Sequence, residues 1–260
     1  PMSSAQAFSD VASDAWFAPY VEALTEAGVF KAQSNFRPAD NMNRAEFVKT
    51  LVQAAGVNTS GAADAGFDDV SSSDWFADHV NAAVESGIIN GSSTSSMFRP
   101  GDNITRAEAV KIALNAFGVT ASDYSTPAAA FSDDNGHWAE DMISAAYNLS
   151  IVDGVGGSTT SFAPNAPISR SAVAKISAYA IIVSEEPDSY VRFDDGSSAF
   201  SVFEDDEIVQ QVSALVVTSD DSSSDDSSDD SSDDSSDDSS DDSSDDSSDD
   251  SSDDEAVVIS

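Results

Sequence analysis

One string of residues is written three times along this chain, and it limits the folds open to it. Phe8-Ser9-Asp10-Val11 leads to Trp16, then Phe36-Arg37-Pro38, then Asn43-Arg44-Ala45-Glu46. Phe67-Asp68-Asp69-Val70 leads to Trp75, Phe98-Arg99-Pro100 and Thr105-Arg106-Ala107-Glu108. Phe131-Ser132-Asp133-Asp134 leads to Trp138, Phe162-Ala163-Pro164 and Ser169-Arg170-Ser171-Ala172. The three arginines lie 62 and 64 residues apart. Self-similarity at such a period means supersecondary units that share a core. Any site built on one copy therefore comes as a set of three.

Each copy reads as helix, loop, helix. Phe17, Tyr20, Val21 and Leu24 follow the i, i+3, i+4, i+7 spacing of an amphipathic helix, and Gly28 stands where a glycine ends one. Phe47, Val48, Leu51 and Val52 mark the second helix of the copy. Phe76, Val80, Ala83 and Val84, then Val110, Ala113, Leu114 and Phe117, repeat the pattern. The third copy has Met142, Ala145, Ala146 and Leu149, then Val173, Ile176 and Ala180. Thr105-x-x-Glu108 is a capping box and Asn43-x-x-Glu46 a variant of it; Ser169 can cap, but Ala172 cannot reciprocate. The fold class is thus mainly α: three helix-loop-helix repeats over 8–62, 63–125 and 126–184.

Past residue 184 the pattern changes. Residues 185–218 are an uncertain segment. A candidate β hairpin turns at Asp194-Asp195-Gly196, and Ile208 to Val217 is apolar enough for a helix or a strand. Residues 219–254 are an Asp-Ser run, expected to be a disordered, extended spacer because it has nothing to bury and repels itself. Residues 255–260 regain apolar character and read as the start of a further segment. At the other end, Ala5-Gln6-Ala7 matches a signal-peptidase site, so 1–7 read as a leader remnant.

The net charge of −38 excludes function classes. All ten Lys and Arg precede the acidic run, yet the repeats remain strongly acidic. Nucleic acid and anionic membrane surfaces are poor partners for such a chain. There is no cysteine, so disulfides and zinc-thiolate sites are excluded. No apolar run reaches the ~18 residues of a membrane-spanning helix. His79 and His137 have no metal-ligand spacing, and no nucleophile–base pair or phosphate loop is visible. The chain reads as a non-enzyme with no cofactor, and the acidic run would attract Ca²⁺ only diffusely.

Local physics makes the helix starts candidates for holding an anion. A helix N-terminus leaves amides unpaired, and an arginine in the first turn adds a planar fork that fits a carboxylate. The tryptophans read either as core or as platforms for a sugar ring, with core favoured. The Asp of each Phe-x-Asp reads equally as a cap and as a ligand contact.

Phe-x-Asp-Val, the Trp, Gly87-Ile88-Ile89-Asn90-Gly91, Phe98-Arg99-Pro100 and Ile104-Thr105-Arg106-Ala107-Glu108 together resemble the S-layer homology (SLH) domain, and the resemblance covers roughly Phe8 to Ser184. The resemblance implies a three-pronged, pseudo-threefold helical spindle on a secreted bacterial protein of the cell wall or S-layer. It implies non-covalent anchoring to an anionic, pyruvylated secondary cell-wall polysaccharide or peptidoglycan-linked polymer. The implied ligand contacts are Arg44, Arg106 and Arg170; Trp16, Trp75 and Trp138; Asp10, Asp69 and Asp133; and Gly91 and Gly154, with the second copy matching best. The alternative is a structural subunit that assembles with other S-layer or surface subunits, with calcium bridging its acids.

Overall fold

The computed structural model describes residues 8–192 apart from 92, 94 and 130, residue 197, and residues 205–221, with side chains of the last segment described for 207–216. The expected leader remnant at 1–7, the candidate hairpin turn at 194–196, nearly all of the Asp-Ser run and residues 255–260 lie outside the described residues. The chain divides into two units, 1–224 and 225–260, and the fold below is that of the first.

Its elements are helices α1 (Ala18–Glu26), α2 (Arg44–Ala54), α3 (Ala77–Glu85), α4 (Arg106–Ala116), the short α5 (Ala121–Tyr124), α6 (Glu140–Asn148), α7 (Arg170–Glu185) and α8 (Asp205–Asp221). The second helix of each repeat starts where its cap residue stands. Asn43 and Thr105 accept from the amides of Glu46 and Glu108, whose carboxylates accept the cap amides in return. Ser169 accepts from Ala172 N without a reciprocal bond. The first helices end at glycines in the left-handed region, Gly28 (φ 76°) and Gly87 (φ 73°), and Ser150 takes the same conformation (φ 61°) in the third copy.

The repeats close into a ring rather than an open stack. Just before α2, α4 and α7 the chain passes a common centre. There Met42 N donates to Ile168 O, Ile168 N to Ile104 O, and Ile104 N to Met42 O, at 3.0–3.1 Å. Three isolated antiparallel bridges, Asn41 with Ser169, Asn43 with Asn103 and Thr105 with Pro167, flank this triangle. The side chains of Met42, Ile104 and Ile168 are each 1% exposed. Three equivalent bonds between three equivalent residues make an approximate threefold axis.

Helix pairing crosses the repeat boundaries. α2 packs on α3, α4 on α6, and α7 on α1, so each pair joins the second helix of one repeat to the first helix of the next. The last pair joins the end of the repeat region to its beginning. Its buried seam includes a hydrogen bond between the Tyr20 and Tyr179 hydroxyls at 2.7 Å. The undecided apolar stretch near 208–217 is helical. α8 lies on α1 and α7, with Ile208 and Val212, one turn apart, fully buried.

One core position is miswritten. Where the first two repeats carry Val11 and Val70, the third carries Asp134, 2% exposed, with its Oδ2 buried and without a hydrogen-bond partner. Burial first, then the nearby Glu140 carboxylate, pushes this carboxyl above its ordinary value of 3.8. The folded state therefore holds the proton more tightly than the unfolded chain. The resulting penalty is small in acid and grows as pH rises through the folded value, reaching its full size at neutral pH. Asp134→Val is expected to stabilise the protein by about 1–3 kcal/mol near pH 7, with a smaller gain below pH 4. Thermal melts of the two proteins at both pH values check it.

Candidate ligand-binding grooves

Each Phe-x-Pro turn is shaped by an aspartate 26 or 29 residues before its phenylalanine. Asp10 accepts the amides of Phe36 and Arg37, both at 2.7 Å. Asp69 does the same for Phe98 and Arg99, and Asp133 for Phe162, Ala163 and the Ser161 hydroxyl. The middle residues, Arg37, Arg99 and Ala163, all sit at φ 56–60°. So shaped, each turn offers alternate carbonyls to the next helix start around the ring. Asp40 O and Pro38 O accept from Arg170 N and Ser171 N; Asp102 O and Pro100 O from Arg44 N and Ala45 N; Ala166 O and Pro164 O from Arg106 N and Ala107 N.

Two sequence expectations are corrected by this arrangement. The helix-start amides are not free for a ligand, because the neighbouring repeat's carbonyls and the cap side chains already bind them. The three aspartates line none of the three grooves described below; both oxygens of each face its turn.

The arginines are anchored by the same turns. Arg106 Nε donates to Phe162 O at 2.8 Å and Arg170 Nε to Phe36 O at 2.8 Å. Each guanidinium lies over the phenylalanine ring of the next turn: Arg44 on Phe98, Arg106 on Phe162, Arg170 on Phe36, at 4.4–5.4 Å. Burial pulls Arg106 and Arg170 below the ordinary guanidinium value. Arg44 instead pairs with Glu108 of the next repeat at 3.1 Å, leaving its Nε buried and unpartnered. Burial pushes Glu108 up, but Thr105 and Arg44 outweigh it and hold the carboxyl below its ordinary value.

Three grooves result, each assembled from all three repeats. In the first, of about 320 Å³, the turn after α1 with Lys31 meets Lys49, Arg170 and Trp75. In the second, of about 300 Å³, the turn Ile88–Asn90 meets Lys111, Arg44 and Trp138. In the third, of about 480 Å³, the turn from Ile151 to Gly157 meets Lys175, Arg106 and Trp16. No groove belongs to one copy. Gly154 is part of the third groove's wall, and a Cβ there would come within 1.9 Å of Ser158 O, so only glycine fits. Its counterpart Gly91 is not among the residues lining the second.

The tryptophans correct the core reading. Trp16, Trp75 and Trp138 are 58%, 57% and 56% exposed, each at a groove edge. Sequence reasoning missed the lysines. Lys49, Lys111 and Lys175 follow the three arginines by five residues, a signal that was present in the repeat. Lys49 and Lys111 lie over Trp75 and Trp138 at 5.3 and 5.8 Å. In a chain of net charge −38, eight of the ten basic residues line these grooves.

The profile of the S-layer homology domain matches residues 7–48, 66–110 and 130–174, half of the chain. The chain is similar to the Surface-layer 125 kDa protein of Lysinibacillus sphaericus, at 33% identity over 175 residues, covering 65% of this chain and 14% of that protein. It is also similar to Exoglucanase XynX of Acetivibrio thermocellus (29% over 175 residues; 65% and 16%) and to Endoglucanase of Bacillus sp. (strain KSM-635) (32% over 158 residues; 58% and 16%). The matched segment makes up less than a fifth of each of these relatives.

Proposed function

This chain belongs to the S-layer homology domain family, and we propose that it is the non-catalytic anchor of a secreted surface protein, holding acidic sugar residues of a cell-wall polysaccharide in grooves between its repeats. Pyruvyl ketals are the acid groups that the family resemblance implies. The observation that carries this reading is the concentration of cations in the grooves of an otherwise acidic molecule. A carboxylate on a sugar meets a lysine and an arginine there, while the exposed indole offers an apolar face to the ring. The rest of the surface repels polyanions, so capture is local to the grooves.

The relatives support an anchoring role over a catalytic one. Proteins named as glucanases and a protein named as a surface-layer protein share this segment, although their names assign them different work. The arginines serve two ends in this reading, fixing the ring and lining the grooves. Among the described residues, the tryptophans and the lysines of the first two grooves, Lys49 and Lys111, hold no ion pair with the framework.

Retention on purified cell-wall sacculi tests it. The full chain is expected to sediment with sacculi, and to do so at least about tenfold less after removal of pyruvyl groups. Trp16→Ala/Trp75→Ala/Trp138→Ala and Lys49→Gln/Lys111→Gln should each lose retention with little change in Tm, because the indoles are more than half exposed and, among the described residues, neither lysine is held in an ion pair. Retention indifferent to the ketal and to both variants overturns the reading and favours assembly with other surface subunits.

A further inference from the structure

The three grooves are alike in plan but not in charge. At the turn position that carries Lys31 in the first and Asn90 in the second, the third carries Asp153. Its Oδ2 takes the Lys175 ammonium at 2.5 Å, and its Oδ1 takes Arg192 Nη2 at 3.0 Å. Its backbone carbonyl accepts from Arg106 Nη2 at 3.1 Å. Arg192 comes from the segment after α7 and is locked in place. Its Nε donates to Tyr147 O, its Nη2 donates to Val152 O, and its guanidinium stacks on Tyr147 at 3.9 Å. Burial pushes the Asp153 carboxyl up, but Lys175 and Arg192 outweigh it and hold it ionised below its ordinary value.

In the other two grooves the equivalent lysines face indoles, and the carboxylates that line those grooves, Glu46 in the first and Glu108 in the second, do not pair with them. Among the described residues no carboxylate lies within ion-pair distance of Lys31, Lys49 or Lys111. Glu108 answers Arg44 in the second groove, leaving Lys111 and the exposed Arg99, which Asp102 meets only at 3.9 Å, as its cations. We propose that Asp153 is a built-in counter-anion that closes the Trp16–Arg106–Lys175 groove to acidic sugars, so that only the Trp75 and Trp138 grooves hold them. A ligand carboxylate entering the third groove meets a fixed negative charge seated on the lysine it would need. This inference rests on the acidic-sugar reading of the grooves.

The three tryptophans give each groove its own reporter. The indole N–H signals of the ¹⁵N-labelled full chain, assigned by single Trp→Phe substitutions, are followed during titration with a methyl glycoside bearing a 4,6-pyruvyl ketal. The signals of Trp75 and Trp138 are expected to shift saturably, with Trp75 the tighter of the two, while Trp16 stays still. In Asp153→Asn, which copies Asn90, Trp16 should join them. In Asn90→Asp, which copies Asp153 at an exposed site, the Trp138 response should weaken by roughly tenfold or more while Trp75 keeps its own. This reciprocal variant decides the matter even if Asp153→Asn loosens the turn. Wild-type Trp16 responding at the same concentrations as the others overturns the proposal, as does an Asn90→Asp protein that binds unchanged at Trp138. Silence at all three indoles in every protein rejects the acidic-sugar reading itself, and the proposal with it.

Discussion

Ile104→Ala and Ile168→Ala each lower the unfolding free energy by about 3 kcal/mol, a Tm drop of roughly 6–12 °C, and in both the whole ring unfolds in one transition. Each isoleucine is buried to 1% at the centre, so truncation leaves a cavity whose walls come from three repeats. The segments that would have to move to fill it are tied to one another by the closed set Met42–Ile168–Ile104. Relaxation is therefore limited, and most of the cavity cost is felt. An open stack behaves differently, because a weakened terminal repeat can fray while the rest stays folded. Here the pairing of α7 with α1 removes any terminal repeat. Calorimetry and hydrogen exchange read this directly. A single endotherm and uniform loss of protection across α2, α4 and α7 is the expected result. Surviving protection in α2 when Ile168 is truncated would show that the ring is not one cooperative unit.

Much of this fold was legible in the sequence, because its strongest signals are local. Helix starts are dictated by Asn43, Thr105 and Ser169, and first-helix ends by Gly28 and Gly87, and each acts within a few residues of itself. The partner of each helix was not legible. Nothing local in α1 says that it packs on α7, some 150 residues later, and that pairing depends on closing the ring. The helix α8 was ambiguous for a related reason. Its short apolar run suits either period, and only the surface left by α1 and α7 selects the helical one.

That the arginines and tryptophans would line the candidate grooves was legible in the sequence, and the wiring of those grooves was not. The helix-start amides are free in an isolated helix, and any argument from one repeat alone leaves them so. They are bound here because carbonyls of the next repeat reach them, which no spacing within one repeat reveals. The tryptophans misled because an aromatic beside a helix is usually core. Their exposure reflects a ring whose interior is already filled by Phe36, Phe98 and Phe162. The pairing of Asp153 was hidden because Arg192 lies beyond the last repeat.

Asp133→Ala is expected to cost about 2–3 kcal/mol and to loosen the third groove along with the fold. The carboxylate holds three donors at 2.8 Å, the amides of Phe162 and Ala163 and the Ser161 hydroxyl. Phe162 is fully buried, so its amide gains little from water when the acceptor is removed. Ala163 is held at φ 56°, a conformation that an alanine adopts only when its surroundings impose it. Release of that turn displaces Phe162 O, the acceptor for Arg106 Nε, and with it the ring on which the guanidinium rests. The pH dependence separates this clamp from a packing effect. Burial raises the Asp133 carboxyl, but its donors more than reverse this, so its folded value lies below the ordinary 3.8. The unfolded chain therefore takes up the proton first. The stability conferred by the clamp is complete above 3.8 and is lost as pH falls through the folded value. The Tm gap between wild type and Asp133→Ala should stay constant from pH 5 to 8 and shrink in stronger acid. Asp133→Asn, which keeps one acceptor oxygen, should fall between the two. A gap that persists unchanged through the acid range would mean that Asp133 acts by shape and not by charge.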